Sequence, residues 1–329
     1  MKRRCLLACC CLSLSSLLVL ADDPPAVQRP KLLLAFASLR DRIRHPQVYL
    51  YEHDGQSTGK LLPGIPAVDK RSDHHPQLTR DAQQCVYCFE VEGQPSQLAA
   101  WDLAGGKAIE LPKIHAGDQA HMAPTIDATG NLIAFEAWRR PGSPGRWDLQ
   151  LYDRSTQQLV DLSFLNAASH DERKPSLSGD GQWLAFTTNA PDGEGQTDLR
   201  IWRRGSSTTS TPRGLNSPVA DTEPSLSHDG RLVAFISDRA GGSGARDVYL
   251  YDLQELQLVP LPGLNSAGQE QSPHLSADGR YLAFVSERLD SAGERDIYLY
   301  DIVAHQLLPT PELNSFRDEY DPFVLVMGQ

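Results

Sequence analysis

The sequence predicts an all-β fold, a six-bladed β-propeller of four-stranded antiparallel blades, closed by pairing of the C-terminal strand with the N-terminal blade. Three observations lead there. Prolines recur at positions 76, 124, 175, 224, 273 and 322, at intervals of 48, 51, 49, 49 and 49 residues, and a fixed period of this length marks a repeat architecture. The periods hold short strand-like runs divided by turn residues, four in each of the middle ones, and none shows helical periodicity. The last period breaks off after a single run, the one missing at the start of the chain.

The unit at Pro224 shows the four runs in order. Pro224-Ser225-Leu226-Ser227 leads into the turn Asp229-Gly230; then come Leu232 to Ser237, Asp247 to Asp252, and Gln257-Leu258-Val259. Asp229-Gly230, Asp278-Gly279 and Asp180-Gly181 supply the positive φ of a tight hairpin, with Thr129-Gly130 a less typical version. Strand two is apolar at consecutive positions, as in Trp183-Leu184-Ala185-Phe186 and Tyr281-Leu282-Ala283-Phe284, so both of its faces must be covered. Stacked sheets do this. At the chain ends, Leu33 to Ser38 reads as strand two, Val48 to Glu52 as strand three and Lys60 to Leu62 as strand four, while Asp321 to Val326 supplies the missing strand one. Ring closure leaves only short protected edges.

Met1 to Arg4 form a basic n-region and Cys5 to Leu20 an apolar run, followed by an acceptable cleavage site after Ala21. Residues 1–21 therefore read as a signal peptide, 22–30 as a linker and 31–329 as the propeller. The run is too short for a comfortable membrane span. A lipobox-like Leu6-Leu7-Ala8-Cys9 offers lipoprotein anchoring as the alternative. The expected location is periplasmic or secreted. Net charge is −11, falling to −14 once Lys2, Arg3 and Arg4 are removed; so acidic a surface argues against nucleic acid as a partner. Cleavage also removes Cys5, Cys9, Cys10 and Cys11, leaving Cys85 and Cys88 mid-strand. Residues three apart in a strand point to opposite faces, so both read as small buried hydrophobes rather than a redox or zinc pair.

The runs Asp221-Thr222-Glu223-Pro224, Phe235-Ile236-Ser237-Asp238-Arg239 and Asp296-Ile297-Tyr298-Leu299 resemble the TolB-type β-propeller repeat, over essentially all of residues 31 to 327. The resemblance implies a propeller and a cell-envelope location. TolB itself carries a separate α/β domain ahead of its propeller, for which residues 22–30 leave no room, so the resemblance does not extend to the Tol role. Blade 2 departs most, with Asp81-Ala82 in place of Asp-Gly.

No catalytic motif emerges: Gly-x-Ser-x-Gly, phosphate-loop and His-Glu-x-x-His signatures are absent from the sequence. Two constellations remain. His74, His75, His121, His170 and His274 lie within five residues of a repeat proline, and imidazoles gathered at a channel mouth would ligate a divalent ion, as in propeller lyases that cleave acidic sugars. Their offsets differ, and His53, His115 and His305 read as loop residues. The stronger constellation stands three residues before each proline: Asp73, His121, Glu172, Asp221, Glu270 and Glu319. On the innermost strand these six would form a ring at the channel mouth that attracts cations or basic side chains; alternatively each acid accepts local backbone N–H bonds. The residues just before the prolines vary, with His75, Ala123, Lys174, Glu223, Ser272 and Asp321, which suits a face tuned to one partner. Leu-Asn pairs at 165, 215, 264 and 313 read as linker turns, and Arg139, Arg140, Arg146, Arg239 and Arg246 as solvated loop charges. The expected function is non-catalytic binding of a protein or peptide in the envelope by a monomer. No cofactor is expected unless a divalent cation sits at the channel mouth. A metal-dependent lyase or hydrolase acting on an acidic polysaccharide and a purely structural envelope component are the alternatives.

Overall fold

The computed structural model describes residues 30–41, 44–114, 119–138, 147–166, 169–289 and 291–328; the expected signal peptide, His115, Arg139, Arg140 and Arg146 lie outside them. Six four-stranded antiparallel sheets are present. Blade 5 is representative, with strands Asp221–Leu226, Leu232–Ser237, Asp247–Asp252 and Gln257–Val259 in sequential order. Blade 1 takes its first strand from the other end of the chain: Glu319–Val326 pairs antiparallel with Leu32–Ser38, Leu33 opposite Leu325 and Leu34 opposite Val324. The six blades and the closure predicted from the sequence are both observed.

Six apolar clusters account for the core, one between each pair of neighbouring blades. Strand two supplies both faces, as its continuous apolar run requires: Leu232–Ser237 places Val233 and Phe235 in one cluster and Ala234 and Ile236 in the next. Cys85 and Cys88 obey the same parity. Each is buried and reduced, Cys85 against blade 1 and Cys88 against blade 3, and burial pushes the Cys85 thiol up to about 12.

The hairpin turns also serve the stacking. Gly230 adopts φ +68°, and a Cβ there would stand 2.3 Å from Trp183 of the preceding blade, so this position needs glycine twice over. Where Ala82 replaces glycine in blade 2, the backbone still takes φ 56°.

The Leu-Asn pairs do more than turn the chain. The side-chain amides of Asn166, Asn216, Asn265 and Asn314 each accept from the N–H and donate to the C=O of a strand-three residue at 2.9–3.0 Å. They act as one-residue strands that tie each linker to its own blade.

Candidate functional site: the central channel

The inner strand of every blade carries a bulge at its proline. In blade 5, Thr222 opposes Ile236 and Ser225 opposes Ala234, so Glu223 and Pro224 together face Phe235. The residue before the proline takes a left-handed φ in all six blades: His75 51°, Ala123 45°, Lys174 51°, Glu223 54°, Ser272 47° and Asp321 50°. A bulge re-aims a side chain, and these six residues all line the central channel.

The channel wall is a ladder between blades. The hydroxyls of Thr125, Ser176 and Ser225, each just after its proline, accept the N–H of Leu177, Leu226 and Leu275 in the following blade, at 3.2, 2.9 and 2.9 Å. Between blades 6 and 1 the acceptor is the Nδ1 of His274, 3.1 Å from Val324 N. That hydrogen bond places the ring proton on Nε2.

Charge collects at the bulged end. Glu223 accepts from Ser272 N at 2.7 Å and from Arg246 at 3.1 Å. Asp321 accepts from His75 N at 3.2 Å and has His75 Nε2 at 3.5 Å. Buried Glu136 accepts from Lys174 N at 2.7 Å and from Arg173 at 3.0 Å. Burial by itself would lower the pKa of Lys174, but Glu223, Glu136 and Asp321 outweigh it and raise it. For Asp321, burial works upward and is outweighed by His75, His74 and Lys174, which hold the carboxyl low. Burial pulls His75 down against the pull of Asp321. Among the described residues the Lys174 ammonium makes no hydrogen bond and no ion pair within 4 Å, although Lys174 is only partly exposed. It is a cation kept charged by its surroundings and open to the channel.

The six positions three before the prolines are placed differently. Asp73, His121, Glu172, Asp221, Glu270 and Glu319 are buried, Asp73 as the third residue of Arg71–Leu78 and the others each first in their strand, and none lines the channel. Asp221 accepts from Ser217 N at 2.6 Å, Ser217 Oγ at 2.8 Å and Arg239 at 2.7 Å. Glu270 accepts from Ser266 and Ser286 hydroxyls at 2.6 and 2.8 Å, and Glu319 from Ser315 and Ser38 at 2.7 and 2.9 Å. Arg71 pairs with Asp73 at 2.7 Å and His170 with Glu172 at 3.1 Å, while His121 packs edge-on against Phe135. Desolvation raises the pKa of Asp73, Glu270 and Glu319.

Arg239 is accordingly no solvated loop charge. Its guanidinium lies over the rings of Phe235 and Tyr249, 5.1 and 4.9 Å from their centroids, and donates to Leu215 O as well as to Asp221. Because breaking a buried charge pair leaves one charge uncompensated, Asp221→Asn is expected to lower unfolding free energy by about 3–5 kcal/mol. Urea midpoints for Asp221→Asn, Arg239→Ala and the double variant check this; the double should cost less than the sum.

Of the described histidines named above, His74 and His75 lie together, both facing Asp321 at 4.0 and 3.5 Å. Among the described residues no three His, Cys, Asp or Glu side chains form a group suited to a metal ion. His53 is not a loop residue: it ends a strand, is fully buried, and contacts Pro309 O at 2.8 Å.

No protein-family model matches the sequence, and the comparison with curated proteins finds no match. Solved structures match in fold. TolB from Acinetobacter baumannii has TM-score 0.62 at 16% identity, with 90% of this chain and 66% of that one covered; this chain thus spans about two thirds of its length. A putative TolB from Agrobacterium tumefaciens gives 0.55 at 16% identity, covering 91% and 99%. An oligogalacturonate lyase in complex with manganese gives 0.56 at 13%, covering 84% and 72%. The fold is that of a TolB-type propeller, a fold that propeller enzymes share. Among the described residues no helix is long and apolar enough to cross a membrane.

Proposed function

We propose that this propeller is an exported, non-catalytic binding module of the cell envelope that takes a protein or peptide segment at the bulged mouth of its channel. One observation carries the reading: the Lys174 ammonium stands in the channel with no hydrogen bond and no ion pair within 4 Å among the described residues, near Glu223 and Asp321, whose carboxylates are already engaged by backbone N–H groups. That arrangement suits a carboxylate of an incoming chain. The apolar wall below it, with Leu177, Leu226 and Leu275, suits the segment that follows. The envelope location rests on the leader-like residues 1–21 and on the likeness to TolB structures.

The test is capture of a partner from the native envelope fraction by tagged wild type and by Lys174→Gln. A charged hydrogen bond is worth about 1.5–3 kcal/mol, so the variant is expected to bind its partner roughly ten- to a hundredfold more weakly with its melting temperature little changed. Equal capture by both proteins would remove Lys174 from the reading. Manganese-dependent turnover of a uronic-acid polymer by the purified protein would replace it with a lyase.

A further inference from the structure

Among the described residues, one arginine fills the same place in three blades. Arg40, Arg239 and Arg288 each follow the serine that ends strand two by two residues, and lie over one phenylalanine and one tyrosine ring. Each donates to the carbonyl of the Leu-Asn leucine, Leu313, Leu215 or Leu264, and approaches the acid of strand one. Blade 4 keeps most of this receptacle without the arginine. Glu172, Thr188, Phe186 and Leu165 stand for Glu270, Ser286, Phe284 and Leu264, and the residue at the arginine's position is Ala190. The backbone there is unchanged: Ala190 N donates to Thr188 Oγ1 at 3.2 Å, as Arg239 N does to Ser237 Oγ at 3.2 Å.

Beside this position lies an open pocket lined by Leu165, Glu172, Phe186, Thr188 and Arg200, with His170 beside Glu172. Arg200 occupies the place of the tyrosine, paired across the strands with Phe186, and its charge is met by Asp192. From this internal precedent we propose that blade 4 binds a guanidinium group supplied from outside the chain, an alkylguanidine or an arginine side chain. Glu172 accepts its N–H donors, Leu165 O accepts a further one, and the Phe186 ring packs against its plane. A guanidinium is planar with a fixed fork of donors, whereas an ammonium is a compact point charge, so the pocket discriminates between them. The site lies apart from the channel and stands independently of the function proposed for it.

Agmatine, with 1,4-diaminobutane as the equally charged control, is titrated into the full chain by calorimetry and thermal shift. The expected result is saturable binding of agmatine with a rise in melting temperature and none from the diamine. Glu172→Gln should weaken binding about tenfold or more, as loss of a charged hydrogen bond does. Ala190→Arg, which restores the arginine in cis, should abolish binding and melt above wild type. An arginine-bearing peptide that binds at least as well as agmatine would identify a protein as the source; agmatine alone binding would identify a free small molecule. No saturable binding to wild type, an equal response to the diamine, or undiminished binding in Ala190→Arg overturns the proposal. Failure of Ala190→Arg to fold also overturns it, because the pocket then does not accept an arginine.

Discussion

Removing residues 318–329 is expected to abolish cooperative folding. The strand Glu319–Val326 buries Phe323, Val324, Leu325 and Val326, the valines against blade 6 and the other two against blade 2. At about 1.5–3 kcal/mol for each buried side chain, roughly 6–12 kcal/mol is lost, most of the ~5–15 that a domain has. Polar ties go with them, among them the Glu319 contacts to Ser38 and Arg40, the Asp321 bond to His75 N, and the Val324 bond to His274. Thermal unfolding followed by circular dichroism checks this. A truncated protein that melts within a degree or two of the intact one would refute closure by this strand.

The second large effect is acid lability at the same junction. Where blades 3, 4 and 5 use a hydroxyl to accept the next blade's N–H, blade 6 uses His274, whose ring also packs at a tilt against Phe323, the centroids 4.1 Å apart. Burial lowers its pKa from 6.5 to about 3. A base whose folded pKa is depressed contributes stability above its unfolded pKa and loses it as pH falls toward the folded value, at about 1.4 kcal/mol per unit. Protonation would place a hydrogen on Nδ1, the atom that accepts from Val324, so the junction loses its hydrogen bond as it gains a buried charge. His274→Ser restores the hydroxyl seen in its neighbours. The expected result is a wild type that loses about 2 kcal/mol more than His274→Ser between pH 7.5 and pH 5, the fall being counted from the unfolded value near 6.5. His75 shifts in the same direction, while Asp73, Glu270 and Glu319, with raised values, act in the opposite one. All are present in both proteins and cancel in the difference. Parallel urea titrations at the two pH values decide it; equal losses in both proteins would show that His274 takes no part.

The sequence by itself determined the blade count, the strand order and the closure. Each depends on local signals: an apolar run covered on both faces at Leu232 to Ile236, a turn that needs positive φ at Gly230, and a repeat whose missing strand lies at residues 319–326. It also determined that Cys85 and Cys88 part company, because strand parity is fixed by spacing alone. The channel was decided by tertiary structure. In a regular strand the residues three and one before the proline share a face, so the sequence reading could place either set on the channel. The bulge breaks that parity, and it brings Lys174, Glu223 and Asp321 to the mouth while Asp221, Glu270 and Glu319 stay inside their blades. Nothing in one repeat announces the bulge, since a residue before proline is ordinarily extended. The arginine clamp was hidden for a related reason: Arg239 sits in a loop by sequence, and only the approach of Phe235, Tyr249, Leu215 and Asp221 turns that loop position into a buried one. The departure of blade 4 from this pattern is visible in the sequence as Ala190, but what the missing side chain leaves behind is a matter of volume, and volume belongs to the packed ring.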